Sequence, residues 1–446
     1  VGVDYFSVET RYDITLPDQC RLPYVVPSPK ALLLTGTSLR DITDPRRPSH
    51  YEMVCEIQRT LADWSPALFL GYNSIRFDEE FLRQAFYQCL HPTFLTNTNN
   101  NARADVLNMM RAVACLRPGV LQVPRDPEGR QVFRLADLAA ANGVAPGGAH
   151  DAMRDVELTL QLCQRVREGA PDIWSSFMRF ASKQAVIAFI REEPAFGYFD
   201  DFEGTRSVRP LTRIGISALD TNIHYCLDLT HDIGALRRLT ESELAEAVQT
   251  KSTSPIRRLK VNASPFVSPL WEIGVANLEP ADEDELMRSA QAVQSDQEFV
   301  ARLVAAARTT DRTYPPSEHV ELQIYGTGWP SNDDLAACRQ FHEAAWEARL
   351  DIALGLSDPR FRRLGRRIVY FERPELLRPG DRLAFDEEVR RRVRGAKSEF
   401  PWMTLPEALV EVDGLLANST PSEYGRLRAL REEFAAHQQL NRMTGL

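Results

Sequence analysis

Cysteine is sparse in this chain and shows no framework. The seven residues (Cys20, Cys55, Cys89, Cys115, Cys163, Cys226, Cys338) are odd in number, widely scattered and never in a C-x-x-C arrangement. They read as buried thiols of a reducing cytoplasm, neither a disulfide frame nor a zinc site. Long apolar runs are lacking too: none approaches the roughly 20 residues of a membrane span, and no basic-then-apolar stretch opens the sequence. The expectation is a cytoplasmic protein with no membrane partner. Nor is there an excess of positive charge. Lys and Arg number 53 against 62 Asp and Glu, a formal net charge of -9, which excludes a uniformly basic nucleic-acid coat but not a local patch. Internal repeats and low-complexity tracts are also missing. What is present is an ordinary globular composition, 43% apolar and 26% charged over 446 residues, a length that suits about three domains.

The first 170 residues alternate strand-like and helix-like pieces, the pattern of an α/β domain. FSVETRYDI has the two-residue period of a half-buried strand, and the proline-spaced LPYVVPSPKALLLTG reads as an extended connector. YEMVCEIQRTLADW puts Met53, Ile57, Leu61 and Trp64 on one helical face. ALFLGYN suits a short buried strand; DEEFLRQAFYQCL, DVLNMMRAVACL, FRLADLAAANG and HDAMRDVELTLQLCQRVREGA suit helices. Between residues 185 and 275 come short β-like runs (GYFDDF, RPLTRIGIS, IHYCLDL, IRRLKVN, SPLWEIGV) with a helical excursion at ESELAEAVQ, as in a small barrel-like domain. From about Ser317 the chain is mostly helical, with DDLAACRQFHEAAWEARL and FDEEVRRRVRGA as the clearest examples.

Two constellations carry chemistry. In GYNSIRFDEEFLRQAFY a strand delivers Asn73, Phe77 and Asp78 to its end, where a helix begins. Asp78 there can meet a metal ion held by a neighbouring strand, or it can be the cap of the helix, with Glu79 and Glu80 favouring the N-terminal dipole. In GGAHDAMRDVELT, Asp155 falls one turn into a helix and His150 at its entry. The pair fits a carboxylate ligand with a histidine that takes a proton from metal-bound water, and His150 alone fits a capping or surface role.

These residues resemble the second and third motifs of the DEDDh 3'-5' exonucleases, which have an RNase H-like fold. More narrowly, LLLTGTSLRDI, LGYNSIRFDEEFLRQAFY, DVLNMMRA with LRPG, FRLADLAAANG and AHDAMRDVE resemble, in order, stretches of bacterial exonuclease I. A weaker likeness runs through SPIRRLKVNASP and PSEHVELQIYGTGWPSNDDL. The resemblance implies an α/β fold with three parts: an RNase H-like exonuclease domain (1–170), an SH3-like β domain (171–316) and a helical C-terminal domain (317–446). It implies a 3'-5' exodeoxyribonuclease acting on single-stranded DNA in DNA repair, with two Mg2+ ions about 4 Å apart clamping the scissile phosphate, Mn2+ being a substitute. Asp78 and Asp155 would be metal ligands and His150 the general base. A single-strand-binding protein is an implied partner and a monomer the implied state.

The strand path should be basic. From Asp358 to Lys397 thirteen Lys or Arg stand against seven Asp or Glu, as a phosphate-tracking surface requires. Arg362 and Arg366 in this segment, Arg206 and Arg209 in the β region, and Arg103 beside Asp105 are candidate DNA contacts together with Asn73 and Phe77; Asp105 can equally cap the following helix.

SVET, near the start, imitates the D-x-E-T of such nucleases with Ser7 in place of the first carboxylate. Its strand alternates cleanly, whereas the family's D-x-E strand lies in mid-sheet and should be apolar on both faces. FSVETRYDI therefore aligns with the family's third strand, which places the D-x-E strand upstream of residue 1 and leaves these 446 residues with two of four carboxylates and feeble activity. A catalytically inactive single-strand-binding protein is the competing reading, and a nuclease of RNA or small oligonucleotides a third, which does not account for the two extra domains.

Overall fold

The computed structural model describes residues 20–144, 152–202, 205–250, 252–274, 282–313, 315–326, 328–395 and 401–443. FSVETRYDI and His150 lie outside them. By contacts the chain divides into two compact units, one of Val1–Trp64, Leu82–Thr93 and Pro316–Leu446, the other of Ser65–Phe81 and Phe94–Pro315. The division follows packing and not sequence order. Helix Val106–Leu116, with seven of its residues buried, packs on the β-rich segment and ties residues 94–170 to it.

The second unit holds two sheets among the described residues. β1 (Leu68–Gly71) and β2 (Ala102–Asp105) pair in parallel. β3 (Phe196–Phe202), β4 (Thr205–Ile216), β5 (Ile223–Asp228), β6 (Ile256–Lys260) and β7 (Phe266–Pro269) form an antiparallel sheet of order β6-β5-β4-β3-β7. Alternate side chains of β5 serve two cores. Cys226 joins Phe196, Leu211, Leu259 and Val267 beneath helix Lys183–Glu192, whereas Tyr225 and Leu227 join Ile256, Val293, Phe299 and Leu303. Both faces are thus covered, the second by helices Glu283–Ser295 and Gln297–Arg308. SPLWEIGV, expected as a strand, is instead the end of β7 followed by the short helix Leu270–Ile273.

The first unit is helical. Val26, Leu32 and Leu39 pack with Val393, Leu405, Val412, Leu427 and Phe434, so segments near the two ends of the sequence share one core. The expected connector LPYVVPSPKALLLTG contains a helix, Pro29–Thr35: Ser28 caps it and proline stands at its first position, where the missing N–H costs nothing. DDLAACRQFHEAAWEARL is two helices, Asn332–Glu343 and Trp346–Gly355. Arg349 donates from Nε to the carbonyl of Ala344 and from Nη2 to that of His342, satisfying carbonyls that the break exposes. No described helix is long and apolar enough to cross a membrane.

Candidate active site

β1 ends at Gly71, opposite Asp105 at the end of β2. The Asp105 carboxylate accepts hydrogen bonds from the backbone N–H groups of Asn73 (2.8 Å), Ile75 (3.4 Å) and Leu107 (3.1 Å). One buried group therefore caps the helix after β2 and fixes the loop after β1. Burial pushes its carboxyl up, against the pull of those three N–H bonds. Asn73 adopts the left-handed conformation with φ 57°, and Ser74–Arg76 forms a single 3-10 turn that hands the chain to Phe77 and Asp78. The turn folds back so closely that a Cβ on Gly71 would lie 2.4 Å from both Cβ and Oγ of Ser74. Gly71→Ala is accordingly expected to displace this turn and lower stability by about 1–3 kcal/mol, read as a reduced thermal midpoint.

Asp78 opens helix Asp78–Gln88, and Asp155 lies in the first turn of helix Ala152–Gly169. Both residues are exposed. The Asp78 carboxyl is nonetheless held above the ordinary carboxylate range, first by local desolvation and then by the charges of Glu79 and Asp155. Asp78 and Asp155 are therefore close enough in space to repel, although 77 positions apart in sequence. Among the described residues neither has an ion-pair partner. Two unneutralised carboxylates sharing a space suit a hard divalent cation with oxygen ligands. Glu79 is otherwise engaged. It is 7% exposed, accepts the Thr96 hydroxyl at 2.7 Å and pairs with Arg103 at 3.1 Å.

That ion pair corrects the expected role of Arg103. The guanidinium is buried, and its other arm donates to the carbonyl of Asn262 at 2.8 Å, so it braces the site from within and offers nothing to a phosphate. Arg209 is half-buried and bound to the fully buried Asp228 at 2.9 Å. Arg366 pairs with Asp381 at 2.6 Å. Arg362, though exposed, donates to the carbonyls of Leu356 (2.8 Å) and Ser357 (3.3 Å). Arg206 sits opposite Asp201 in the β3–β4 ladder, and its side chain is outside the described set. The arginine-rich segment is mostly structural glue: Arg367 and Arg392 both clasp the buried Glu321 at 2.6 Å, and Arg363 pairs with Glu388. Arg367 and Arg392, with Tyr24 and Phe371, line a cavity of about 280 Å³ in the helical unit.

Phe77 fares differently. It is 59% exposed and meets Phe81, 64% exposed, edge to face at 4.9 Å. This solvent-facing pair flanks Asp78. Phe81 escaped the sequence reading, although its position four residues after Phe77 places both on one helical face. In the sequence Asp105 is legible beside Arg103 and as a helix cap; its hold on the Asn73 loop depends on strand register and is invisible in a linear sequence.

No protein-family model matches the chain. Exodeoxyribonuclease I of Escherichia coli is 28% identical over 336 residues, 70% of this chain and 68% of the relative. Among solved structures, E. coli exonuclease I in complex with a dA16 oligonucleotide superposes with a TM-score of 0.81 at 21% identity, covering 94% of this chain and 91% of that one. A structure described as SSB/exonuclease I in complex with the inhibitor CFAM superposes at 0.77, again at 21% identity, over 94% and 90%. The solved structures show a shared fold, and the curated relative adds the sequence match. The chain is thus similar in sequence to exodeoxyribonuclease I and shares the fold of the solved exonuclease I structures.

Proposed function

We propose that this chain is a divalent-metal-dependent 3'-5' exonuclease of single-stranded DNA. The observation that carries the reading is the proximity of Asp78 and Asp155, held on two separate helices with no cation to neutralise them among the described residues. A bound Mg2+ there would neutralise phosphate charge and lower the pKa of attacking water. The residues of the chain supply the rest. Asp78 and Asp155 hold the ion, Asp105 and Gly71 fix the loop that aims Asp78, and Glu79 with Arg103 anchors the start of its helix. His150 is proposed as general base on its position in the sequence alone. Relatives bound to oligonucleotides and to SSB support single-stranded DNA and a single-strand-binding protein as partners, and a monomer is the proposed state.

The exposed Phe77 and Phe81 rings suit stacking on the bases of the strand, worth about 1–3 kcal/mol per base. Phe77→Ala and Phe81→Ala should each raise KM for single-stranded DNA by about fivefold or more with a smaller change in kcat. Steady-state kinetics on an oligonucleotide series checks this. The reading itself is tested by incubating the intact chain and Mg2+ with matched single-stranded DNA, duplex DNA and RNA. Preferential release of mononucleotides from single-stranded DNA is expected, and preferential cleavage of RNA would overturn it.

A further inference from the structure

Three donors that the sequence scatters come together in the helical unit. Cys55 lies on helix His50–Asp63, His91 in the turn after helix Asp78–Gln88, and His342 in the last turn of helix Asn332–Glu343. The Cys55 thiol and one ring nitrogen of each histidine all lie within 4.8 Å of one another, and Nε2 of His91 is 3.3 Å from the sulfur. Tetrahedral zinc, with Zn–S of about 2.3 Å and Zn–N of about 2.1 Å, separates its ligand atoms by roughly 3.3–3.6 Å. The His91–Cys55 edge already has that length, and the widest edge needs to close by at most about 1.5 Å.

The surroundings prepare the donors. Nε2 of His342 is 3.3 Å from the carbonyl oxygen of Leu90; donating there fixes the tautomer, as an outer partner does for a metal-binding histidine, and makes Nδ1 the acceptor of the Tyr51 hydroxyl, a bond an ion would replace. The Tyr51 hydroxyl stands 2.9 Å from that Nδ1 and accepts from Nη1 of Arg349 at 2.8 Å. The two rings stack, with centroids 3.9 Å apart and planes 5° from parallel. An ion in the ring planes therefore requires one ring to turn about its Cβ–Cγ bond, a torsion with a broad profile.

We propose that Cys55, His91 and His342 bind one zinc-type divalent cation, with the Tyr51 hydroxyl at the fourth position. The thiolate and imidazole donors select zinc over the hard cations suited to Asp78 and Asp155. The ion staples together three segments remote in sequence. The proposal departs from the expectation that the cysteines make no metal site: spacing alone shows none because the histidines stand 36 and 287 residues away. The proposal does not depend on the nuclease reading.

The test uses the full chain, equilibrated with zinc sulfate, passed through a desalting column with EDTA and analysed for metal. About one zinc per chain is expected, with less than a fifth of that in Cys55→Ser and in His91→Asn. Cobalt chloride should give a thiolate-to-cobalt charge-transfer band that both variants lack. Circular dichroism verifies folding; should Cys55→Ser not fold, His91→Asn decides. Wild-type chain that retains no zinc, or folded variants that retain as much as wild type, would overturn the proposal. Nuclease assays run in parallel with added Mg2+ keep the two readings separate: Cys55→Ser should still digest DNA, and an absence of digestion in every chain would count against the nuclease reading without touching the zinc result.

Discussion

Replacing Asp78 or Asp155 with alanine is expected to slow divalent-dependent digestion of single-stranded DNA by at least about 100-fold, with secondary structure unchanged. Both residues are exposed at helix starts, so alanine leaves no cavity and no buried orphan. What it removes is half of the described carboxylate pair. Their mutual repulsion shows in the raised pKa of Asp78, where desolvation contributes most and Glu79 and Asp155 follow. The sign of the pH dependence follows. A raised pKa means that Asp78 takes up its proton at higher pH than an ordinary carboxyl, so metal affinity and rate should begin to fall above the usual carboxylate range as pH is lowered. Raising the Mg2+ concentration should move that fall to lower pH. Rates from pH 4 to 8 at two Mg2+ concentrations check both points.

The second large effect concerns stability. Asp228 has no exposed surface. One carboxylate oxygen accepts from Arg209 at 2.9 Å and Arg257 at 3.3 Å, and the other from the Thr230 hydroxyl at 2.7 Å and backbone N–H at 3.1 Å. Asp228→Ala strands the buried Arg257 guanidinium without its counter-charge, a loss of roughly 3–5 kcal/mol. Denaturant titration followed by fluorescence should show a lower midpoint for the sheet-containing unit. Asp228→Asn keeps an acceptor for Thr230 and should fall between the two. Glu432→Ala, which removes an exposed pair with Arg428, should leave the midpoint unchanged because water screens such pairs.

Local signals in the sequence were faithful where one element decides its own form. Helices His50–Asp63, Asp78–Gln88 and Val106–Leu116 and the strands β1 and β3–β6 fall where periodicity places them. The failures have physical causes. Prolines around Val25–Pro29 suggested extension, but Ser28 and Pro29 form a helix start whose remaining stability comes from packing on the C-terminal helices. Trp271 and Ile273 looked like strand residues, yet Pro269 ends β7 and the next four residues turn as helix. The arginines of residues 358–397 misled most. Composition shows their number but not their partners: Glu321, which holds Arg367 and Arg392, is 46 and 71 residues distant. For the same reason Asp78 and Asp155 were legible as motifs, whereas Asp105, Glu79 and the Cys55 cluster act through contacts that only the folded chain creates.

The most direct measurement is a time course on single-stranded DNA labelled at its 3' end, with the intact chain in Mg2+ and in EDTA, beside Asp155→Ala. The account predicts Mg2+-dependent release of labelled mononucleotide, slow as befits two carboxylates, none in EDTA, and a further loss in the variant. Salt-sensitive binding of the strand by the intact chain, with no Mg2+-dependent release of label, would contradict it and identify a protein that holds single strands without cutting them.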